Sequence, residues 1–284
     1  AAYVPAIEMG YAPSTVVDDA PFMLKEDGKV WPENYDNKFR GLQPFRVGLE
    51  WSVNAMAVRV LNLVGVETAY DYAEKMGIST LVPKGRYNDK TASLALGGIT
   101  KGATVLDMTT AYGVLANGGI RVDPIGILKV EDQRGNVLYK STPSKKTVLK
   151  PTSAYLVTDM LKGVITKGTG RRADIGRPAA GKTGTTTDGK DAWWVGYTPE
   201  YAGAVWMGHD EPKKMDWAAG GKYPAMIWAA TAKSIYNITK QPATDFPIPP
   251  GIVRAPVALK SGKLPGPNTP PDQIYDSIFA EGTV

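Results

Sequence analysis

Four consecutive residues combine a cation, two hydroxyl groups and a glycine. Lys182, Thr183, Gly184 and Thr185 stand just before the run DAWWVGY, whose aromatic and branched residues are typical of a β-strand. A cationic strand edge with hydroxyl groups can hold an anion, and its backbone N–H groups can donate to a reacting carbonyl. Gly184 would let a substrate approach the backbone closely. The alternative interpretation is an ordinary strand with a solvated lysine.

A second polar signature, Ser52-Val53-Asn54, stands at a predicted helix start. Each signature alone is weak, because a serine before a helix is commonly an N-cap and Lys-Thr-Gly occurs in many surface turns. Their order strengthens them. Serine acyl-transfer enzymes that act on β-lactams and peptidoglycan stems carry S-x-x-K, then S-x-N, then K-T-G.

The elements that would position these residues follow from apolar spacing and turn signals. Helical spacing predicts helices over Asn54 to Val64, Glu67 to Met76 and Thr104 to Ala116. A further helix begins at Pro151 and is closed by Gly168. The apolar faces of these helices predict a packed core.

Three short strands are predicted around the K-T-G signature, joined by tight turns: Ala179 to Thr185, Ala192 to Tyr197 and Tyr201 to Gly208. Such short connections favour antiparallel pairing. A helix over Tyr223 to Tyr236 would then cover one face of this sheet. By composition, Lys25 to Phe45 is predicted as a surface loop.

The composition changes beyond Ala243, where FPIPPG and LPGPNTPP are extended sequences that build a core poorly. We therefore predict a domain over residues 1–243 and a Pro-rich tail or linker over residues 244–284. The 284 residues are enough to bury a large core.

Charge and cysteine content exclude several function classes. The net charge of +5 comes from 33 basic and 28 acidic residues spread along the chain, which argues against a nucleic-acid partner. The absence of cysteine excludes disulfides, thiolate metal sites and a cysteine nucleophile. No run of apolar residues is long enough to span a membrane.

No cofactor or metal is predicted. The adjacent Asp18 and Asp19 suggest a metal pair, but such pairs more often hydrogen-bond a turn. His209 is the sole histidine, and we interpret it as a surface or hydrogen-bonded residue rather than a base.

Longer segments carry a family resemblance. They are AIEMGYAPSTVVDDAP near the start, SLALGG, TAYGVLANGG, VTDMLKGVITKGTGRRA and the block AGKTGTTTDGKDAWWVGYTP. In these segments, over roughly residues 1 to 240, the chain resembles the transpeptidase domain of class A penicillin-binding proteins. The resemblance implies a penicillin-binding/β-lactamase-like α/β fold. Its central antiparallel five-stranded sheet would be covered by helices on both faces, with an all-helical subdomain beside it.

The resemblance also implies a reaction and partners. A serine would attack the D-Ala-D-Ala amide of a peptidoglycan stem peptide, and an amino group of a neighbouring stem would resolve the acyl-enzyme. β-Lactam antibiotics would acylate the same serine. This chemistry serves cell-wall synthesis. In bifunctional members a glycosyltransferase domain and a membrane anchor lie upstream, which would place the domain on the extracytoplasmic face of the bacterial membrane.

Roles are transferred by the same resemblance onto the matching residues. Ser52 would relay a proton to or from the leaving nitrogen, and Asn54 would hold a substrate amide. Lys182 would hold Ser52 and the substrate's terminal carboxylate, with help from the hydroxyl groups of Thr183 and Thr185. The backbone N–H of Thr185 would be one oxyanion donor, and Gly184 would admit the substrate.

The nucleophile and general-base lysine of S-x-x-K are not in this chain. No serine is followed three positions later by lysine; Ser14, for example, is followed by TVV, and Ser144 by KKT. In the resemblance the motif would lie a few residues before Ala1. We therefore predict that an N-terminal fragment of the same polypeptide completes the site, and that the chain alone is not acylated.

Two other functions remain open. A serine β-lactamase or D,D-carboxypeptidase would use the same signatures, although no carboxylate is nominated as a base for water. A non-catalytic module that senses muropeptides or β-lactams would keep the fold without the nucleophile. Turnover of a chromogenic cephalosporin would favour the β-lactamase.

Overall fold

The structure is a computed structural model that describes residues 1–21, 23–24 and 30–284. Its helices are α1 (Tyr3–Glu8), α2 (Phe45–Glu50), α3 (Asn54–Val64), α4 (Val66–Met76), α5 (Val105–Ala116), α6 (Pro151–Thr166) and α7 (Tyr223–Thr239). Its strands are β1 (Val16–Asp19), β2 (Met23–Leu24), β3 (Val30–Trp31), β4 (Gly41–Pro44), β5 (Ile120–Val122), β6 (Lys129–Glu131), β7 (Val137–Lys140), β8 (Lys145–Thr147), β9 (Ala180–Thr185), β10 (Asp191–Tyr197), β11 (Ala202–Gly208), β12 (Ile252–Ala258) and β13 (Ile274–Ala280). None of these described helices combines the length and apolar character needed to cross a bilayer.

The central sheet consists of three antiparallel strands in the order β11-β10-β9. Their connections are short, which makes antiparallel pairing the accessible geometry. In the described part of the chain, β9 pairs with β10 alone and is therefore an edge strand. The K-T-G signature lies on this edge, as the sequence predicts.

Helices cover both faces of this sheet. Tyr197 contacts the ring of Tyr112 in α5, and its hydroxyl lies 2.9 Å from that of Thr158 in α6. Trp194, three residues earlier, packs its ring against Trp228 of α7. Side chains three positions apart on a strand point to opposite faces. Helices α5 and α6 therefore lie on one face and α7 on the other.

The α/β class and the helical covering agree with the prediction, but the strand count does not. The described residues supply three strands to the central sheet where five were expected. The remaining long strands, β12 and β13, pair with each other along their whole length instead of joining an edge of that sheet. β12 and β13 follow each other along the chain and pair locally, so they form a separate two-stranded sheet.

Helices α3, α4, α5 and α6 lie close to their predicted positions, because a strong apolar period specifies each of them. The segment predicted as a loop between Lys25 and Phe45 differs. It contains β3 and β4, and α2 begins at Phe45. Residues 25–29 lie outside the described residues.

Asp19 explains why the segment after β3 is ordered. Its buried carboxylate accepts hydrogen bonds from Asn34 Nδ2 at 2.7 Å and from the Arg40 backbone N–H at 2.9 Å. The Arg40 guanidinium adds an ion pair at 3.3 Å. Asp19 therefore organises a turn rather than binding a metal, and its partners lie too far along the chain for composition to reveal.

The Pro-rich segment contributes to the core. Phe246 packs its ring against Tyr197, and Ile278 of β13 belongs to the same buried cluster as helix α6. Extended proline-rich backbone thus delivers isolated apolar side chains to the domain. The boundary that we place after residue 243 stays a prediction.

Candidate active site

Ser52 and Lys182 meet, although 130 residues separate them in sequence. The Lys182 ammonium nitrogen Nζ donates to Ser52 Oγ at 2.7 Å and to the Thr183 backbone oxygen at 3.0 Å. Ser52 follows helix α2, and Lys182 lies on strand β9. The fold therefore brings the two signatures from the sequence to one place.

Ser52 is held by its backbone rather than by helix capping. Its φ angle is +54°, a left-handed conformation that residues other than glycine adopt rarely. The next residue, Val53, is the N-cap of α3 and donates its N–H to the Gly48 oxygen at 2.9 Å. The Ser52 hydroxyl caps nothing and is instead the acceptor for Lys182. Such strained conformations persist where the surroundings fix them, often at functional sites.

Asn54, the first residue of α3, is anchored on one side and open on the other. Its Nδ2 donates to the Glu33 backbone oxygen at 2.7 Å. In the part of the chain that the structure describes, its Oδ1 accepts no hydrogen bond and can receive a substrate N–H. Buried Asn34 supports this position, since its Oδ1 accepts the Ala55 N–H at 3.2 Å. Nothing in the sequence singles out Asn34.

Burial changes the acidity of Lys182. Desolvation disfavours its charged form and lowers the pKa of Lys182 to about 8 from an ordinary value of 10.5. The ammonium form is thus still the main one at neutral pH. A lysine tuned in this way attracts anions at neutral pH and exchanges protons more readily than a surface lysine.

The register of β9 decides which backbone groups face the open edge. Thr186 donates its N–H to the Asp191 oxygen at 3.1 Å, and Gly184 and Lys182 are opposite Trp193 and Val195. In an antiparallel ladder, hydrogen-bonded pairs alternate with pairs that point outward.

Thr183 and Thr185 consequently direct their N–H and C=O groups away from β10, toward the free edge. The Thr183 backbone oxygen points toward the free edge, because it accepts a hydrogen bond from Lys182 Nζ. The Thr185 N–H is therefore in the orientation that an oxyanion donor needs.

A glycine pair packs on this strand and was not predicted. Gly220, in the connection between β11 and α7, donates its N–H to Thr185 Oγ1 at 3.0 Å. A Cβ at Gly220 would collide with the carbonyl oxygens of Trp193 and Gly184. Because the Thr185 hydroxyl accepts this bond, it keeps its own hydrogen for a ligand. The pair Gly220-Gly221 was the available sequence signal.

Thr169 is a second residue that the sequence reasoning missed. It lies between α6 and the 3-10 helix Arg171–Ala173, with its Oγ1 2.8 Å from Thr183 Oγ1. His209, by contrast, is exposed just beyond β11, as the sequence suggests. In the described ranges, no three acidic or histidine side chains gather in a way that could hold a metal ion.

Comparisons with known families assign most of the chain to two family models. The family model "Penicillin binding protein transpeptidase domain" matches residues 1–233. A second, "Penicillin-binding protein 1A, C-terminal domain", matches residues 248–284. The two matches together cover nearly the whole chain.

Curated relatives carry the same family name. Penicillin-binding protein 1A of Clostridium novyi (strain NT) is 33% identical over 95% of this chain, and that of Clostridium tetani is 32% identical over 99%. Penicillin-binding protein 1A of Aquifex aeolicus is 36% identical over 87% of the chain. These alignments cover 32%, 38% and 33% of the relatives, so the chain spans about a third of their length.

Solved structures share the fold. Penicillin-binding protein 1A from Haemophilus influenzae superposes with a TM-score of 0.85 and 26% identity, over 99% of this chain and 46% of that one. The PonA1 protein from Mycobacterium tuberculosis in complex with penicillin V gives a TM-score of 0.75 and 28% identity, over 94% and 73% of the two chains.

Proposed function

Because this chain belongs to the penicillin-binding protein transpeptidase family, we propose that it forms most of a serine D,D-transpeptidase domain that crosslinks peptidoglycan stem peptides. The observation that carries this proposal is the contact between Lys182 Nζ and Ser52 Oγ at 2.7 Å, beside the open edge of β9. Such a site offers a proton relay, an anion site and an oxyanion donor within one cleft.

The reaction needs a serine nucleophile, which an S-x-x-K segment outside residues 1–284 would supply. Its Oγ would attack the carbonyl carbon of the penultimate D-alanine while its proton passes to the lysine of the same segment and from there to Ser52, and the Thr185 N–H would donate to the developing oxyanion. When the C–N bond breaks, the Ser52 hydroxyl would pass a proton to the leaving amine. An acceptor amine would then attack the acyl ester, lose a proton through the same relay and free the serine.

Substrate recognition would centre on the terminal carboxylate of the stem peptide. The Lys182 ammonium supplies positive charge, and the hydroxyl groups of Thr183 and Thr185 supply hydrogen-bond donors. Asn54 Oδ1 would accept an N–H from the donor peptide, which would align it along β9. The carboxylate of a β-lactam presents the same charge, so the site would also be acylated by β-lactams.

A β-lactamase would need a carboxylate that activates water, and one acidic residue lies close in sequence. Glu50 is two residues before Ser52, but its carboxylate packs against Gly163 of α6, where a Cβ would collide with Oε1. Arg46 lies 3.9 Å away from that oxygen. The Glu50 carboxylate is thus packed against α6 and is not nominated as a base for water. This favours transfer to an amine over hydrolysis.

A non-catalytic sensor of muropeptides would need no proton relay. The strained Ser52 and the desolvated Lys182 are costly features that such a sensor could dispense with. We further propose that an anchor outside residues 1–284 holds the domain on the extracytoplasmic face of the membrane, together with a glycosyltransferase domain.

The test uses a polypeptide that contains residues 1–284 together with the S-x-x-K segment. Substitution Ser52→Ala should lower the rate of acylation by a fluorescent penicillin by about 100-fold to 10,000-fold, the usual worth of a general acid–base group. The matched control Ser144→Ala, at an exposed position just before β8, should react like the wild type. Equal rates for wild type and Ser52→Ala would contradict the proposed relay. Hydrolysis of a chromogenic cephalosporin with rapid turnover would favour the β-lactamase instead.

A further inference from the structure

The segment that contains Thr169 packs against the end of α2 and against strands β9 and β10. Its N–H donates to the Glu50 oxygen at 3.2 Å, at the end of α2 and two residues before Ser52. Both of its neighbours are glycines in close contact. A Cβ at Gly168 would collide with that same Glu50 oxygen, and a Cβ at Gly170 with the ring of Trp194. The backbone at Thr169 is therefore fixed relative to both signatures.

The side chain of Thr169 completes a closed ring of contacts. Its Oγ1 lies 2.8 Å from Thr183 Oγ1, and Lys182 Nζ lies 3.4 Å from the same Thr183 oxygen. Lys182 in turn donates to Ser52. The chain segment from Ser52 back to Glu50, and the Glu50 bond to Thr169, close the ring.

The hydrogen bond between Thr169 Oγ1 and Thr183 Oγ1 can run in either direction, and its direction decides where the Thr183 hydrogen points. An ammonium group can only donate, so Thr183 Oγ1 accepts from Lys182. A hydroxyl group has one hydrogen and two acceptor sites. If Thr169 also donates, both acceptor sites of Thr183 are filled and its hydrogen is free to point at an anion on the open edge of β9. If Thr183 donates to Thr169, that hydrogen is consumed.

We propose that Thr169 is a positioning residue that donates to Thr183 and thereby aims the Thr183 hydrogen at the carboxylate of the stem peptide or β-lactam. This inference rests on the proposed function, and it assigns a role to a residue outside the two signatures. A chain of donors that begins at a cation strengthens each bond along it, so loss of one member weakens carboxylate recognition as a whole.

The experiment uses the polypeptide that includes the S-x-x-K segment, and a penicillin compared with its methyl ester. Thr169→Val removes the hydroxyl group while keeping the branched shape. It should lower the second-order acylation rate with the penicillin about tenfold, which corresponds to about 1.4 kcal/mol, because the Thr183 hydrogen is no longer aimed at the carboxylate. The rate with the ester, which carries no charge, should change less than about twofold. Thr169→Ser should restore selectivity for the acid.

Thr166→Val is the matched control, since Thr166 is exposed at the end of α6 and, among the described residues, its hydroxyl bonds only to the Lys162 oxygen of its own helix. An equal fall of the acid and ester rates in Thr169→Val would reduce Thr169 to a structural role and overturn the inference. Unchanged rates would overturn it as well. A wild-type protein that no β-lactam acylates would instead overturn the proposed function, and the inference with it.

Discussion

The proposed function depends above all on Lys182, because one ammonium group contacts Ser52, the Thr183 backbone and the Thr183 hydroxyl. Burial has two effects on Lys182: it strengthens the attraction for an anion and it lowers the pKa. A charge in a partly desolvated cleft attracts an anion more strongly than one on the surface. The same desolvation brings its pKa down to about 8, close to working pH.

This acidity predicts a pH dependence of carboxylate recognition. As pH rises through about 8, Lys182 loses its proton and the attraction for a carboxylate disappears. The ratio of acylation rates for a penicillin and its methyl ester should therefore fall above pH 8, by up to about tenfold for each pH unit. The ratio cancels the titration of groups that affect both reagents equally.

Lys182→Arg is the diagnostic variant, because arginine keeps its charge above pH 8. Its ratio should stay level over the range in which the wild-type ratio falls, even if the absolute rates are lower. A wild-type ratio that stays constant from pH 7 to 10 would mean that Lys182 does not hold the carboxylate.

At the level of elements, the site depends on backbone segments that approach β9 closely. The connection between β11 and α7 reaches Thr185 through Gly220, and the turn after α6 reaches Thr183 through Thr169. Strand β9 is thus supported by partners other than β10, and this support leaves its outer edge open in the described chain. Close approach of this kind requires glycine, because a Cβ would occupy the space of a carbonyl oxygen.

Gly220→Ala tests this support. The added methyl group meets the oxygens of Trp193 and Gly184, which are backbone atoms and cannot rotate away. We expect a loss of about 1–3 kcal/mol in the free energy of unfolding, together with slower acylation, since Thr185 loses its alignment. Gly126→Ala is the control, because open space surrounds Gly126. Equal stability of the two variants by chemical denaturation would argue against the close packing.

Periodicity predicted the elements better than the contacts between them. Helix α3 and strand β9 were predicted correctly because apolar spacing and turn residues specify them locally. Helix α2 was not predicted, because it is only six residues long and its first N–H groups, those of Phe45 and Arg46, donate to the distant Thr15 and Pro13 oxygens. The roles of Thr169 and Gly220 depend on contacts across the fold; the Gly220-Gly221 pair is a sequence signal of close packing, but the sequence does not show which strand it packs on.

On the scale of the whole molecule, residues 1–233 and 248–284 match two different families. They nevertheless share a hydrophobic core, since Ile278 is 3% exposed and belongs to the same buried cluster as helix α6. Composition suggested a tail, because proline-rich sequence lacks the periodicity of a core element. Strands β12 and β13 nevertheless bury apolar side chains, although their sequences lack the regular spacing of a core element.

Ile278→Ala measures how far the C-terminal segment stabilises the domain. Truncation of a fully buried isoleucine should lower the free energy of unfolding by about 2–5 kcal/mol. Ile248→Ala, at a position that is 61% exposed, should change it by less than about 0.5 kcal/mol. Two separate unfolding transitions, with the first alone sensitive to Ile278→Ala, would show instead that the segment folds as an independent unit.

The central claim is that residues 1–284 form one wall of an acyl-transfer site whose nucleophile lies outside them. Intact-mass spectrometry and peptide mapping after incubation with penicillin test it most directly. A polypeptide that includes the S-x-x-K segment should gain one penicilloyl group, on the serine of that motif, while residues 1–284 expressed alone should gain none. A penicilloyl group on Ser52, or on any residue of the isolated chain, would contradict the account.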